Sequence, residues 1–319
     1  MKRVLVTGAV GQIGSELTER LRKMLGGHRV VAAGHIKKAR ENLLASGPFH
    51  YIDCTRIETI AELVKTYRID TIYHLAAILS ATAEKNPQYA WKVNVEGLTN
   101  VLEVAREHDC AVFTPSSIAT FGPSTPLTRT PQDTVQRPTT LYGVSKLTGE
   151  LLCDYYFNKY GVDTRGVRYP GLISYKAPPG GGTTDYAVAI YFEAVRHKSY
   201  TCYLKPETFL DMMYMPDALR AAIELMEADP TKLKHRNAFN IAAMTLSPTK
   251  IAAEIQRLIP DFTLDFNIDP LRQAIADSWP DSMDDSAARE EWGWHPEYDL
   301  TAMTREMVDN ISRMRDTNK

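Results

Sequence analysis

Residues 4–17 read VLVTGAVGQIGSEL. The run from Arg3 to Thr7 spells a short apolar strand, and Gly8, Gly11 and Gly14 follow it in a G-x-x-G-x-x-G spacing that opens an amphipathic helical pattern. Glycine at these points permits a tight turn, close approach of backbone to a pyrophosphate and close packing of helix on strand. The helix N-terminus adds uncommitted N–H groups and the positive end of its dipole. A glycine-rich turn without a ligand is the alternative. The strand before and the helix after give the spacing the context that it lacks on its own.

Working outward, short apolar runs recur at Arg29 to Ala33, Thr71 to Leu75 and Ala111 to Thr114, separated by longer helical patterns such as Ala90 to His108. This is the rhythm of βαβ units. It predicts an α/β fold whose parallel sheet is doubly wound, covered by helices on both faces, with ligands at the carboxyl ends of the strands. After about residue 170 the rhythm loosens and prolines punctuate short segments, among them Pro206, Pro216, Pro230 and Pro248. The expected division is a dinucleotide-binding domain over residues 1–175 that also carries the catalytic residues. A smaller substrate-binding region over 176–319 follows, some of whose segments return to the sheet.

Composition narrows the partners. The 319 residues are 44% hydrophobic and 24% charged, enough apolar material for a substantial core. A formal net charge of -2 gives no reason to expect nucleic acid or another polyanion. Cys54, Cys110, Cys153 and Cys202 are widely spaced, without a C-x-x-C pair, and none of the eight histidines forms a ligand motif, so reduced thiols and no metal are expected. No apolar run reaches membrane-spanning length, and a first strand starting at Arg3 leaves no room for a signal or transit peptide. The expectation is a soluble, cytoplasmic protein.

The end of the second strand departs from the usual dinucleotide pattern, which places an acid there for the adenosine ribose. Here Gly34 and His35 are followed by Lys37, Lys38 and Arg40, which leaves NAD, NADP or either open, as well as a basic loop that only meets solvent. Asp53, after the short strand HYI, suits either a hydrogen bond from an adenine amino group or a plain Asx cap. Small Ala76 and Ala77 end the fourth strand, where a cofactor can lie against backbone. Tyr142 and Lys146 in LYGVSK are four residues apart, hence on one helical face. A phenol with pKa near 10 becomes a usable general base when a neighbouring ammonium favours its ionised form. Ser116 and Ser117 close the fifth strand, where a hydroxyl can hold a substrate alcohol.

The order TGxxGxxG, LAA, NVEG (residues 94–97), SS, YxxxK and RYPGLIS resembles the extended short-chain dehydrogenase/reductase family over residues 1 to about 175. The resemblance implies a Rossmann-type sheet and a nicotinamide cofactor. It makes Tyr142 the acid/base, has Lys146 bind the nicotinamide ribose and has Ser117 orient the reacting hydroxyl. It extends the cofactor contacts to Gln12, Ile13, Leu75, Tyr169 and Leu172. Three further stretches, PPGGGTTDYA (178–187), DMMYMPD (211–217) and SWPDSMDDSAAREEWGW (278–294), resemble the short-chain-type L-threonine 3-dehydrogenases within that family. That implies oxidation of the threonine C3 hydroxyl to 2-amino-3-oxobutanoate by NAD in a homodimer. NADP stays open because Gly34 and His35 replace the family's usual Asp. Backbone N–H groups at Gly180 to Gly182 suit a carboxylate, and Ser80 and Thr184 would supply hydroxyls near the amino acid, with Trp279 closing over it. Their alternatives are helix caps for Ser80 and Thr184 and core packing for Trp279, while Asp185 is expected to cap the helix that begins there. A nucleotide-sugar epimerase or dehydratase, or a non-catalytic NAD(P)-binding sensor, are the other functions this scaffold allows.

Overall fold

The structure, a computed structural model, describes residues 1–176 and 182–317. The chain divides into two compact units interleaved along the sequence. The first comprises Met1–Thr120, Pro138–Arg168 and Leu219–Phe239, and the second Phe121–Arg137, Tyr169–Ala218 and Asn240–Lys319.

In the first unit, β1 (Val4–Thr7), β2 (Val30–Gly34), β3 (Phe49–Tyr51), β4 (Thr71–His74), β5 (Ala111–Phe113) and β6 (Thr164–Arg165) form one sheet. Its order is β3-β2-β1-β4-β5-β6 and every neighbouring pair is parallel. This is the Rossmann-type sheet expected from the sequence. The order reverses beside β1, where Val4 lies opposite both Val30 and Thr71, and such a reversal opens a crevice at the strands' carboxyl ends. The central strands are buried along their length, which is why they read as unbroken apolar runs rather than alternating ones. On one face Leu5, Val31, Ile72 and Val112 join a core with Ile60, Leu63 and Val64 of helix α2 (Ile57–Tyr67) and Leu98, Val101 and Leu102 of α3 (Gly97–His108). All four cysteines are buried and free, and burial raises every thiol.

The single helix expected from Ala90 to His108 is broken in the structure. A short helix Pro87–Trp91 passes into a π-turn at Lys92–Glu96 before α3 begins. Asn94 lies in the wide turn, and its side chain supplies the reason. Oδ1 accepts from Ile78 N–H at 2.7 Å, while Nδ2 donates to Ile78 C=O at 3.0 Å and to Ser145 Oγ at 3.1 Å. These bonds compensate a turn that helix propensity alone disfavours, and such turns concentrate at functional sites.

In the second unit a three-stranded sheet contains β7 (Gly171–Ile173), β9 (Leu210–Tyr214) and β10 (Met244–Leu246), with β9 parallel to β7 and antiparallel to β10. A parallel pair joins β8 (Ser199–Cys202) to β11 (Thr263–Phe266). Among the described residues no helix is long and apolar enough to cross a membrane.

Asp211 of β9 is almost fully buried and accepts N–H bonds from Met283, at 3.0 Å, and Ala243. Burial outweighs those bonds and, with Asp285 and Asp281 nearby, pushes its carboxyl up to about 7 from a usual 3.8. Between those values the folded chain holds a proton that the unfolded chain has released. The group therefore stabilises the fold at low pH, and that contribution is lost as pH rises through about 7. Thermal melts from about pH 5 to about pH 8 are expected to show a falling Tm that Asp211→Asn flattens. An unchanged slope in the variant would refute the assignment to Asp211.

Candidate active site

The first strand runs into its glycines with little room to spare. Gly8 has φ +70°, and a Cβ there would lie 2.7 Å from Ala76 N and from the Leu75 carbonyl carbon. A Cβ on Gly14 would lie 2.2 Å from Gly8 O, so the helix that follows, Gln12–Leu25, sits directly on the turn. Gly11 differs from both. It is the helix N-cap, and a Cβ there meets only Gly8 O, at 3.2 Å, with nothing else within 4 Å. Gly8, Gly11, Gly34, His35, Asp53, Leu75, Ala76 and Ala77 line a cleft of about 220 Å³. The backbone N–H groups of the first helical turn, those of Gln12 and Ile13 among them, lack intrahelical acceptors by geometry. Bare backbone at Gly11, a helix N-terminus and a cleft at the strand ends fit the diphosphate of a dinucleotide.

Asp53 makes the Asx turn that the sequence allowed. Its Oδ1 accepts from Thr55 N–H at 2.9 Å and from Thr55 Oγ1 at 2.8 Å. Burial alone would raise its carboxyl, but these bonds and the neighbouring His35 and Lys92 hold it below the usual value. His35 and Lys37 line the same cleft.

Ser117 follows β5, and Tyr142 lies in the first turn of the helix α4 (Leu141–Tyr160), which begins where Thr140 Oγ1 accepts from Gly143 N–H. A Cβ on Gly143 would stand 2.1 Å from Ala119 O. That glycine lets the helix start touch the segment after Ser117, and the Ser117 hydroxyl stands near enough to the Tyr142 phenol to favour its ionised form. One turn on, Lys146 Nζ donates to Pro115 C=O at 2.8 Å and stands 5.7 Å from the Tyr142 ring centre. The two serines part company. Ser116 is buried and donates to Glu150, whose carboxylate also takes Arg168 at 2.9 and 3.0 Å, so Ser117 alone is left to Tyr142.

The electrostatics correct a simple expectation. Burial dominates at Tyr142 and pushes the phenol up to about 12, with the Ser117 hydroxyl pulling the other way, and the same burial brings Lys146 down to about 8. The lysine does not by itself hand the enzyme a phenolate. His74, at the end of β4, is held neutral with its pKa lowered to about 3, by burial first and by Lys146 second. Sequence reasoning does not single out Gly143, Glu150 or His74; a glycine directly after the tyrosine is the one available signal among them.

The remaining expected contacts occupy separate places. Ser80 is the first residue of the helix Ser80–Lys85, whose N-cap is Leu79. In the second unit the Tyr169 hydroxyl donates to Ala218 C=O at 2.7 Å, and Leu172 pairs with Met213. Thr184 lies in the 3-10 turn Thr183–Asp185. Asp185 is the N-cap of helix Tyr186–His197 by position, but its carboxylate accepts from Gly182 N–H at 2.8 Å rather than from that helix. The Tyr203 hydroxyl donates to the carbonyls of Gly182 and Thr183 at 3.2 and 3.1 Å. Trp279 is buried and borders a groove with Lys205, Phe209 and Gln273. Gly180 falls outside the described residues. Among the described residues no three His, Cys, Asp or Glu side chains come together in a group able to hold a metal ion.

The family model of the NAD-dependent epimerase/dehydratase family matches residues 4–242. The chain belongs to this family. An uncharacterized epimerase/dehydratase of Staphylococcus saprophyticus is 55% identical over 311 residues, covering 98% of this chain and 97% of that one. Among solved structures, an L-threonine dehydrogenase of Clostridium difficile is 54% identical with a TM-score of 0.96, each chain covered to 98%. A monomeric L-threonine 3-dehydrogenase from a metagenome is 46% identical with a TM-score of 0.92, covering 98% of this chain and 99% of that one.

For an epimerase/dehydratase-family chain, Gly11 and Gly14 should separate by experiment. Gly11→Ala is expected to fold with a Tm close to wild type and to bind NADH, read by fluorescence, at least about tenfold more weakly, because the added methyl occupies space meant for phosphate. Gly14→Ala, whose methyl strikes the Gly8 carbonyl, should lower the Tm or yield no soluble protein. Equal behaviour of the two variants would contradict the geometry.

Proposed function

We propose that the chain is an L-threonine 3-dehydrogenase that uses NAD. The observation that carries this reading is Ser117 beside the Tyr142 phenol with the Lys146 side chain one helical turn away, set in a fold that superposes on threonine dehydrogenase structures along nearly its whole length. In this reading Ser117 holds the C3 hydroxyl of threonine, Tyr142 as phenolate takes its proton, and Lys146 orients the cofactor's ribose and compensates the phenolate's charge. The nicotinamide supplies the hydride acceptor. The C3–H electron pair leaves as hydride, the C3–O bond becomes a carbonyl, and the product is 2-amino-3-oxobutanoate. On the sequence resemblance, Ser80, Thr184 and Trp279 are the proposed substrate contacts.

Tyr142 must lose its proton before it acts as a base, and burial resists that loss. The oxidation rate therefore rises with pH through the neutral range and falls off as Lys146, held at about 8, loses its charge. Absorbance at 340 nm with threonine and NAD should show this rise; a faster one with NADP would assign His35 and Lys37, which line the cofactor cleft, to the extra phosphate. Tyr142→Phe should lower kcat by roughly a hundredfold or more. Turnover of a UDP-sugar in place of threonine would move the chain to the epimerase side of its family.

A dimer is the second part of the proposal. Val144, Leu151 and Tyr155 form an exposed apolar stripe along α4, on the opposite side from buried Ser145, Glu150 and Cys153. A second copy laid against this stripe would bury it by twofold symmetry. Sedimentation should give the mass of two chains, and Leu151→Lys should give one. A wild-type monomer would discard the interface.

A further inference from the structure

Behind the catalytic pair lies a small cavity of about 20 Å³. It is lined by His74 from β4, Asn94 from the π-turn, Ser116, and Ser145, Lys146 and Glu150 from α4. The volume suits one water molecule, and the lining is polar enough to hold it. The neighbours are mostly spoken for: Asn94 is tied to Ile78 and Ser145, and Ser116 and Arg168 take Glu150. His74 is not. The ring is 3% exposed, Nδ1 lies 2.8 Å from Thr7 Oγ1, and Nε2 has no hydrogen-bond partner among the described residues. A buried ring nitrogen left unpaired is costly, and a half-buried ammonium that spends one of its three donors on Pro115 C=O has donors to spare.

We propose that the cavity is a built site for one water, which accepts from the Lys146 ammonium and donates to His74 Nε2, and that His74 is a positioning residue keeping Lys146 charged and in place one turn from Tyr142. The chemistry assigns the tautomer: Nδ1–H donates to Thr7 Oγ1, and Nε2 is the acceptor. The charged and titratable groups acting on Lys146 are few. Tyr142, Glu150 and Cys153 share its helix, His74 faces it from β4, and Arg168 neutralises Glu150. Burial works against the ammonium, and the carboxylate that would favour it is already paired. Under these conditions one more acceptor, reached through water, decides how far Lys146 keeps its charge. A neutral Lys146 leaves a Tyr142 phenolate uncompensated in a buried place.

The role given to Tyr142 rests on the dehydrogenase reading, whereas the water site does not, so the test has two arms. A high-resolution crystal structure of the whole protein should show a water within hydrogen-bond distance of both His74 Nε2 and Lys146 Nζ. Its absence there overturns the site. In the second arm, His74→Leu, which cannot accept, should move the acidic limb of kcat/KM for threonine oxidation up by about one pH unit, about a tenfold loss on that limb, and His74→Gln should restore it. A purely structural His74 would lower Tm and rate at every pH without moving the limb, or would make Leu and Gln equivalent, and either result overturns the positioning role. If His74→Leu fails to fold, His74→Asn, whose shorter amide stops short of the water, takes its place with the same upward shift expected, and an unmoved limb overturns the role. A protein that shows the water but does not oxidise threonine loses the dehydrogenase reading and the role of Tyr142 with it, and keeps the His74 site.

Discussion

Two stretches of backbone meet at the first turn with no room for a side chain between them. The Gly8 carbonyl sits where a Cβ on Gly14 would be, and Gly8 itself, in the left-handed region, is pressed against the peptide joining Leu75 to Ala76. One turn thereby fixes two things at once: the helix N-terminus that faces the cleft, and the end of β4. From β4 the constraint passes along the chain to Ile78, which is clamped on both its backbone groups by Asn94, and Asn94 bonds Ser145 on α4. Ser145 lies between Tyr142 and Lys146. The glycine-lined cleft and the Tyr142–Lys146 pair of the first unit are thus joined by backbone contacts and one amide side chain, with no long flexible residue in the path. Short, over-determined links of this kind hold reacting groups to within fractions of an ångström, which is what positioning contributes to rate.

Desolvation governs the electrostatics of the site. Tyr142 and Lys146 are both pushed toward their neutral forms by burial, the phenol up and the ammonium down. In water the pair would attract weakly. In a buried place each charge is costly alone and compensates the other when both form together. The Glu150–Arg168 pair obeys the same rule. It anchors Ser116 beside Ser117, and the Glu150 carboxylate that favours the Lys146 ammonium is itself paired with Arg168.

The sheet is legible in the sequence because its strands are buried on both faces, and continuous apolar runs separated by helical patterns have few other solutions. The glycine turn is legible for the same kind of reason, since each glycine answers a separate steric demand. Tyr142, Lys146 and Ser117 can be named from their motifs, but their electrostatic balance cannot, because desolvation depends on what packs around a group and leaves no mark in local spacing. The break at Lys92–Glu96 is hidden because a π-turn keeps apolar residues near their helical positions; only Asn94, a polar residue buried between Val93 and Val95, hints at it. A histidine inside a strand, such as His74, reads as ordinary core until its unpaired nitrogen is seen. Asp185 shows the converse. An acid at a helix start reads as a cap, and the structure spends its carboxylate three residues upstream instead.

The two kinds of sequence signal also divide along physical lines. The motifs of the first unit constrain backbone and recur wherever a dinucleotide and a tyrosine base must meet, so they define a family that includes epimerases and dehydratases. The words of the second unit, DMMYMPD and SWPDSMDD, are tied to each other: Asp211 of the first holds the Met283 N–H of the second, and the second pairs with residues 127–130 through Thr130 and Ser282. Tyr203 and Asp185 likewise fix Gly182 and Thr183 through backbone bonds. Residues that bond one another's main chain cannot drift independently, because each loss leaves a buried donor or acceptor unpaired. Specificity for a small substrate depends on that kind of mutual constraint, and it is the reason such long, odd words carry more functional information than a glycine motif shared by a whole fold.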